Sequence, residues 1–290
     1  MKERSSNDFR LVRNKLPPEA FAYAKGPELP PTDLVDEKAW YSITGLPDDV
    51  ALRTSDHHGS QLKAMHDIWG DWIRSVPDEQ DAINYTMLDS ADALQACTFN
   101  ALSGYYQVAA SCLRSALELN VIGAYFQLLS KTSEFDRFKK GEYEVKFGNA
   151  CECLFDHPST QELHDYINSK MDYSIFAKKP HENESWARNL YSKLSHFAHS
   201  RPTHSAVVMW EGSNGPIYVT NSFGRIYALY LDTMSLSYVL VKLARPTLKL
   251  PRVTRHLFRS PKVRPSKVAL YAFQHLWPEF QDGLEQIRKS

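Results

Sequence analysis

The sequence predicts a mainly α-helical bundle with an extended N-terminal arm and one inserted β-hairpin. Three observations carry that expectation. Residues 91–130 hold no proline and only two glycines, Gly104 and Gly123. Apolar residues recur there at the three-and-four spacing of a helix along two seams, one through Leu94, Cys97, Ala101, Val108 and Cys112, the other through Leu102, Tyr106, Ala109, Leu113 and Leu117. Prolines 17, 18, 27, 30, 31 and 47 crowd the first 60 residues, a composition suited to an arm laid over a surface. Two β-rich runs flank Ser213-Asn214-Gly215 within Ser205–Thr220, and an Asn-Gly step between such runs is a strong hairpin signal.

Taken in order, residues 1–60 read as the arm and 61–290 as one bundle domain. Ser60 suits an N-cap for a helix over 61–76, with Leu62, Met65, Trp69 and Trp72 on one face and Pro77 ending the run. The stretch 91–130 follows as one long helix or two stacked ones, with Asp89 or Ser90 as its cap. An amphipathic piece around Phe135 and Phe138 ends at Gly141, and a helix then runs to Phe155. Further helices are expected over 158–167, opened by Ser159, and over 182–200, which ends before Pro202. The hairpin comes next. The apolar run 226–244, interrupted by Asp232, Ser235, Ser237 and Lys242, reads as a buried helix and not a membrane span. A basic tract covers 242–267, and an aromatic helix over 268–284 kinks at Pro278.

Formal net charge is zero, so any affinity for nucleic acid has to be local. On a single helix Cys97 and Cys112 would stand about 22 Å apart and could not pair. Cys151 and Cys153 form a CxC without a second ligand pair. Reduced thiols, and the absence of an apolar leader in MKERSSNDFR, lead us to expect a cytoplasmic protein with no membrane segment. Histidines 196, 199 and 204 offer imidazoles, but without an HExxH motif or a clear third ligand no metal and no cofactor is expected.

Two constellations carry candidate chemistry. On a helical wheel, Trp186, Leu190, Leu194 and Phe197 fall to one side of the 182–200 helix. Arg188, Ser192, Ser195 and His199 fall opposite, flanked by Tyr191 and His196. A face of Arg, Ser, Tyr and His differs from an ordinary Lys/Glu solvent face. The central stretch carries its own polar stripe, which ends in Arg114 and Glu118, and buried charge needs partners. The two polar faces therefore pair well, with Glu118 accepting from His199 or Tyr191. The second constellation is the tract itself. From residue 233 to 278 there is no acid, while Lys242, Arg245, Lys249, Arg252, Arg255, Arg259, Lys262, Arg264 and Lys267 accumulate. Such a patch meets phosphates or an acidic partner, or is neutralised by acids of the arm such as Asp33 and Asp36.

Arg114-Ser-Ala-Leu-Glu118 on one helix and Tyr191-Ser-Lys-Leu-Ser-His-Phe-Ala-His199 on a later one resemble a group of bacterial helical-bundle proteins that are themselves similar to the HEPN superfamily. The resemblance covers about residues 90–200. It implies a dimeric α-bundle, in many members a metal-independent ribonuclease of toxin or phage-defence systems. The catalytic motif of that superfamily is an arginine with a histidine a few residues downstream. Here seven residues separate Arg188 from His196 and ten separate Arg188 from His199, which departs from it. The resemblance implies a catalytic set of Arg188, His196, His199, Arg114, Glu118, Tyr191 and Ser195. A histidine would move protons to and from a ribose 2′-hydroxyl while an arginine stabilises the phosphate. Arg252, Arg255, Arg259, Lys262, Arg264 and Lys267 would then hold RNA. The contrasting expectation is a non-catalytic homo-oligomeric interaction module in which the same Arg, Glu and His residues form a structural polar seam.

Overall fold

A computed structural model describes residues 39, 43, 45–177, 185–198, 216–260, 263 and 265–283; the side chains of 197, 198 and 281–283 are outside that description. The chain divides into two units, Met1–Leu46 and Pro47–Ser290. Of the first, only residues 39, 43, 45 and 46 are described, so the arm expected over the remainder lies outside the described residues.

The second unit is helical. Its elements are α1 (Leu46–Arg74), α2 (Ala82–Leu102), α3 (Tyr106–Leu128), α4 (Thr132–Lys139), α5 (Phe147–Phe155), α6 (Pro158–Met171), α7 (Trp186–Ala198), α8 (Thr220–Ala244), α9 (Arg252–Arg259) and α10 (Lys267–Leu276). A 3₁₀ turn over Pro278–Gly283 closes the described chain. Among the described residues no strand occurs, only an isolated bridge between Ser174 and Ser185. The hairpin is corrected accordingly. Residues 216–219, its expected second run, are irregular and Thr220 already opens α8, while the first run and the Asn-Gly turn lie outside the described residues.

The central stretch is two helices and not one. α2 ends at Ser103, Gly104 takes φ +82°, and α3 returns antiparallel from Tyr106. A Cβ on Gly104 would stand 2.5 Å from the Ile217 carbonyl oxygen, so the elbow needs glycine for its backbone angle and for its space. The reversal also corrects the cysteine geometry. Cys97 and Cys112 are near neighbours across the elbow, both as free thiols with pKa values raised mainly by burial. The helical pair starts earlier than expected. Asp81, not Asp89 or Ser90, caps α2 by accepting from the Asn84 amide at 2.9 Å, and Ser90 is buried within the helix.

α1 likewise begins fourteen residues ahead of the expected Ser60 cap, with a kink at His58 whose φ and ψ leave the helical region. Residues 47–60 thus belong to the bundle. Trp72 of α1 is fully buried and donates its indole N–H to the Met87 carbonyl at 3.1 Å. α8 is the buried helix expected from its sequence, with seventeen of its residues buried, and it packs on α3 and α2. Ser237 of α8 meets α3 inside the bundle: Asn120 donates to Ser237 Oγ at 3.1 Å and to the Ala116 carbonyl at 2.9 Å. The last helix breaks at Trp277, because Pro278 cannot continue α10 and starts the 3₁₀ turn instead.

Candidate functional site

α7 buries Trp186, Leu190 and Leu194 of the apolar side expected of it, and Ala187 as well, while the side chain of Phe197 lies outside the described residues. Its other side does not act as one surface. Tyr191 turns toward α3, where its hydroxyl accepts from Arg114 Nη2 at 2.8 Å. The Tyr191 ring stacks on Phe147 of α5, centroids 3.9 Å apart and planes 10° from parallel. Arg188 lies near Cys151 of α5; its charge lowers the pKa of a thiol that burial otherwise pushes well up. Ser195 Oγ is buried without a hydrogen bond, and so is Arg114 Nε. His196 is exposed, and His199 lies outside the described residues.

Of the candidate catalytic set, then, Arg114 and Tyr191 come together in a half-buried pair clamped by Phe147. Glu118 stands one turn beyond Arg114 without a hydrogen bond or ion pair among the described residues; the Tyr191 hydroxyl it was expected to accept from meets Arg114 instead. No cluster of three or more His, Cys, Asp or Glu side chains suited to a metal occurs among the described residues.

The basic tract sorts into tied and exposed cations. Lys242 donates to the Leu248 carbonyl at 2.9 Å. Arg245 pairs with Glu79 at 2.9 Å and with Asp81, so acids at the start of α2 meet it. Arg259 donates to the Glu279 carbonyl. Lys249, Arg252, Arg255 and Lys267 make no ion pair among the described residues, and Lys262 and Arg264 lie outside them. Arg252, Arg255 and His256 share one face of the two-turn helix α9, while Thr254 and Phe258 are buried on the other. A carboxylate from far away in sequence fixes that helix. Asp71 of α1 is buried and accepts from the Thr254 amide at 2.7 Å and from the Thr254 hydroxyl at 3.0 Å, capping the N-terminus of α9 across the fold.

Sequence reasoning missed a third arrangement. A cavity of about 200 Å³ opens between α6, α7, α8 and α10, lined in part by Asn189, Lys193, Asp232, Ser266 and Lys267. Asp232 Oδ1 accepts from Trp186 Nε1 at 3.0 Å and from Ser266 Oγ at 2.7 Å. Burial raises the Asp232 pKa, while those two hydrogen bonds and the nearby Lys193 ammonium pull it back. The available signal was Asp232 itself, a lone acid in an apolar helix, which has to be paired or functional. Compared with family models, with curated proteins and with solved structures, the chain matches none.

Proposed function

We propose that this protein is an RNA-binding helical bundle that holds the phosphate backbone on the exposed face of α9. The observation that carries the reading is the alignment of Arg252, Arg255 and His256 on one face of a helix whose other face is buried and whose N-terminus is locked by Asp71. Lys249, just upstream, extends the positive charge and makes no ion pair among the described residues. Cations held in place without acidic partners favour a polyanion, and the affinity they give is sequence-tolerant and salt-dependent. In this reading the Arg114–Tyr191 pair holds α3 and α7 together.

The HEPN resemblance supports a second reading, metal-independent RNA cleavage in a toxin or phage-defence setting. Arg114 Nε and Ser195 Oγ favour it, since both are buried without a partner on the two helices that the Tyr191 hydroxyl joins. A phosphate oxygen would use that capacity.

One experiment addresses both. Single-stranded RNA is titrated with the purified chain in EDTA at two salt concentrations, beside Arg252→Ala/Arg255→Ala, and the RNA is then run on a gel. Binding that weakens with salt at a slope reduced by roughly one to two in the double variant supports the α9 reading. Equal affinity of wild type and variant refutes it. Cleavage by wild type that Arg114→Met abolishes would move the assignment to the second reading.

A further inference from the structure

The cavity between α6, α7, α8 and α10 has a chemistry that RNA binding does not use. Asp232 Oδ1 is saturated by Trp186 and Ser266, which fix the carboxylate in place. No hydrogen bond is made to Oδ2 among the described residues, and Asp232 lines the cavity. That oxygen offers a rigid, partly desolvated acceptor. Two exposed lysines, Lys193 of α7 and Lys267 at the start of α10, contribute to the lining, and the Lys193 charge acts on Asp232. Ser266 is the N-cap residue of α10, yet its hydroxyl goes to Asp232, so the first turn of α10 has no side-chain cap. Met171, Leu190 and Val268 supply an apolar wall.

From this juxtaposition we propose that the cavity binds a free α-amino acid with an aliphatic side chain, its ammonium on Asp232 Oδ2 and its carboxylate on Lys193 and Lys267. Charge and size decide among ligand classes. One carboxylate and two ammoniums leave the site with a small positive excess. That excess disfavours a simple amine, while Asp232 disfavours a dicarboxylate. A zwitterion meets both signs at once. A cavity of about 200 Å³ is also too small for a nucleotide, since sites for drug-sized ligands begin near 300 Å³. It exceeds the roughly 150 Å³ that holds benzene, which suits a ligand the size of leucine. The half-buried carboxylate gains from an ammonium partner because its two existing donors, an indole and a hydroxyl, are both neutral.

The test is calorimetric titration of the full chain with L-leucine, leucinamide and N-acetylleucine. We expect L-leucine to bind, and each blocked analogue to bind roughly tenfold or more weakly, the scale of one charge-assisted hydrogen bond. Asp232→Asn should abolish the preference for leucine over N-acetylleucine. Because Asp232 also anchors Trp186 and Ser266, the exposed Lys193→Met supplies an independent reading. It should lower leucine affinity toward that of leucinamide and leave leucinamide unchanged. The proposal is overturned if leucine, isoleucine and valine all fail to bind the wild type. Equal binding of N-acetylleucine and leucine would overturn it too, as would wild-type leucine affinity in a folded Asp232→Asn or in Lys193→Met.

Discussion

Replacing Tyr191 by Phe separates a structural seam from a reactive site. The substitution keeps the ring that stacks on Phe147 at 3.9 Å and deletes only the hydroxyl that accepts from Arg114 at 2.8 Å. A hydrogen bond to a charged donor contributes about 1.5–3 kcal/mol, and partial exposure of both groups places this one near the low end. Arg114 Nε is already buried without a partner, so losing the Tyr191 acceptor leaves two guanidinium nitrogens unmet. We expect a loss of ~1.5 kcal/mol in urea denaturation, read as a lower midpoint at unchanged slope, with RNA affinity unaltered. Arg114→Met should cost a similar amount, and the double variant less than the sum, because the two changes remove the same contact. Wild-type stability in Tyr191→Phe together with lost RNA binding or cleavage would refute the structural role and place Tyr191 at the ligand.

Other regions give equally direct expectations. His164 is buried, and its Nε2 accepts from the Phe176 amide at 3.2 Å. Burial lowers its pKa from 6.5 to about 4, a drop that corresponds to ~3 kcal/mol. The folded value is the depressed one, so this stability is present above about pH 6.5 and is lost as pH falls toward 4. His164→Gln should flatten that part of the urea midpoint–pH profile, and a profile parallel to wild type would count against it. Gly104→Ala should destabilise by about 3 kcal/mol or more, since a positive φ and a backbone oxygen at 2.5 Å both oppose the new carbon; a thermal midpoint matching wild type would contradict the elbow. Asp71→Ala should cost about 2–3 kcal/mol by unsatisfying the buried Thr254 amide and hydroxyl. It should also weaken RNA binding through α9, and unchanged RNA affinity would argue that the helix does not depend on that cap.

Much of the bundle was legible because periodicity reports burial. The apolar side of α7 is buried as its spacing implied, and α8 is buried around most of its circumference, as its apolar run implied. Boundaries were harder. Nothing in the run around Ser103-Gly104-Tyr105 distinguishes a tolerated glycine from a reversal, because the deciding contact is with Ile217, more than a hundred residues away. The early start of α1 was hidden by Gly59 and Ser60, which read as a helix start and here sit just past a kink at His58. The candidate site was legible only in part. Arg114 and Tyr191 were expected to share a seam and do, but which acceptor Arg114 takes depends on Phe147 turning the Tyr191 ring. Neutralisation of the tract by acids of the chain itself was among the expectations, but which groups do it was not legible, because Glu79, Asp81 and the Glu279 carbonyl lie far from it in sequence or beyond its end. Asp232 was read only as an interruption of an apolar run, because its partners come from the starts of two other helices, Trp186 and Ser266, which no local pattern joins.

The elbow at Gly104 also constrains the order in which the protein can be made. Ile217 lies against Gly104, as does Val50 of α1, and the Val219 amide donates to the Tyr106 hydroxyl, so the bend between α2 and α3 also needs residues from the far half of the chain. While the ribosome is still translating residues before 217, the apolar faces that α8 later covers are without their partner. A nascent chain at that stage carries the two apolar helices α2 and α3 without the helix that covers them in the folded protein.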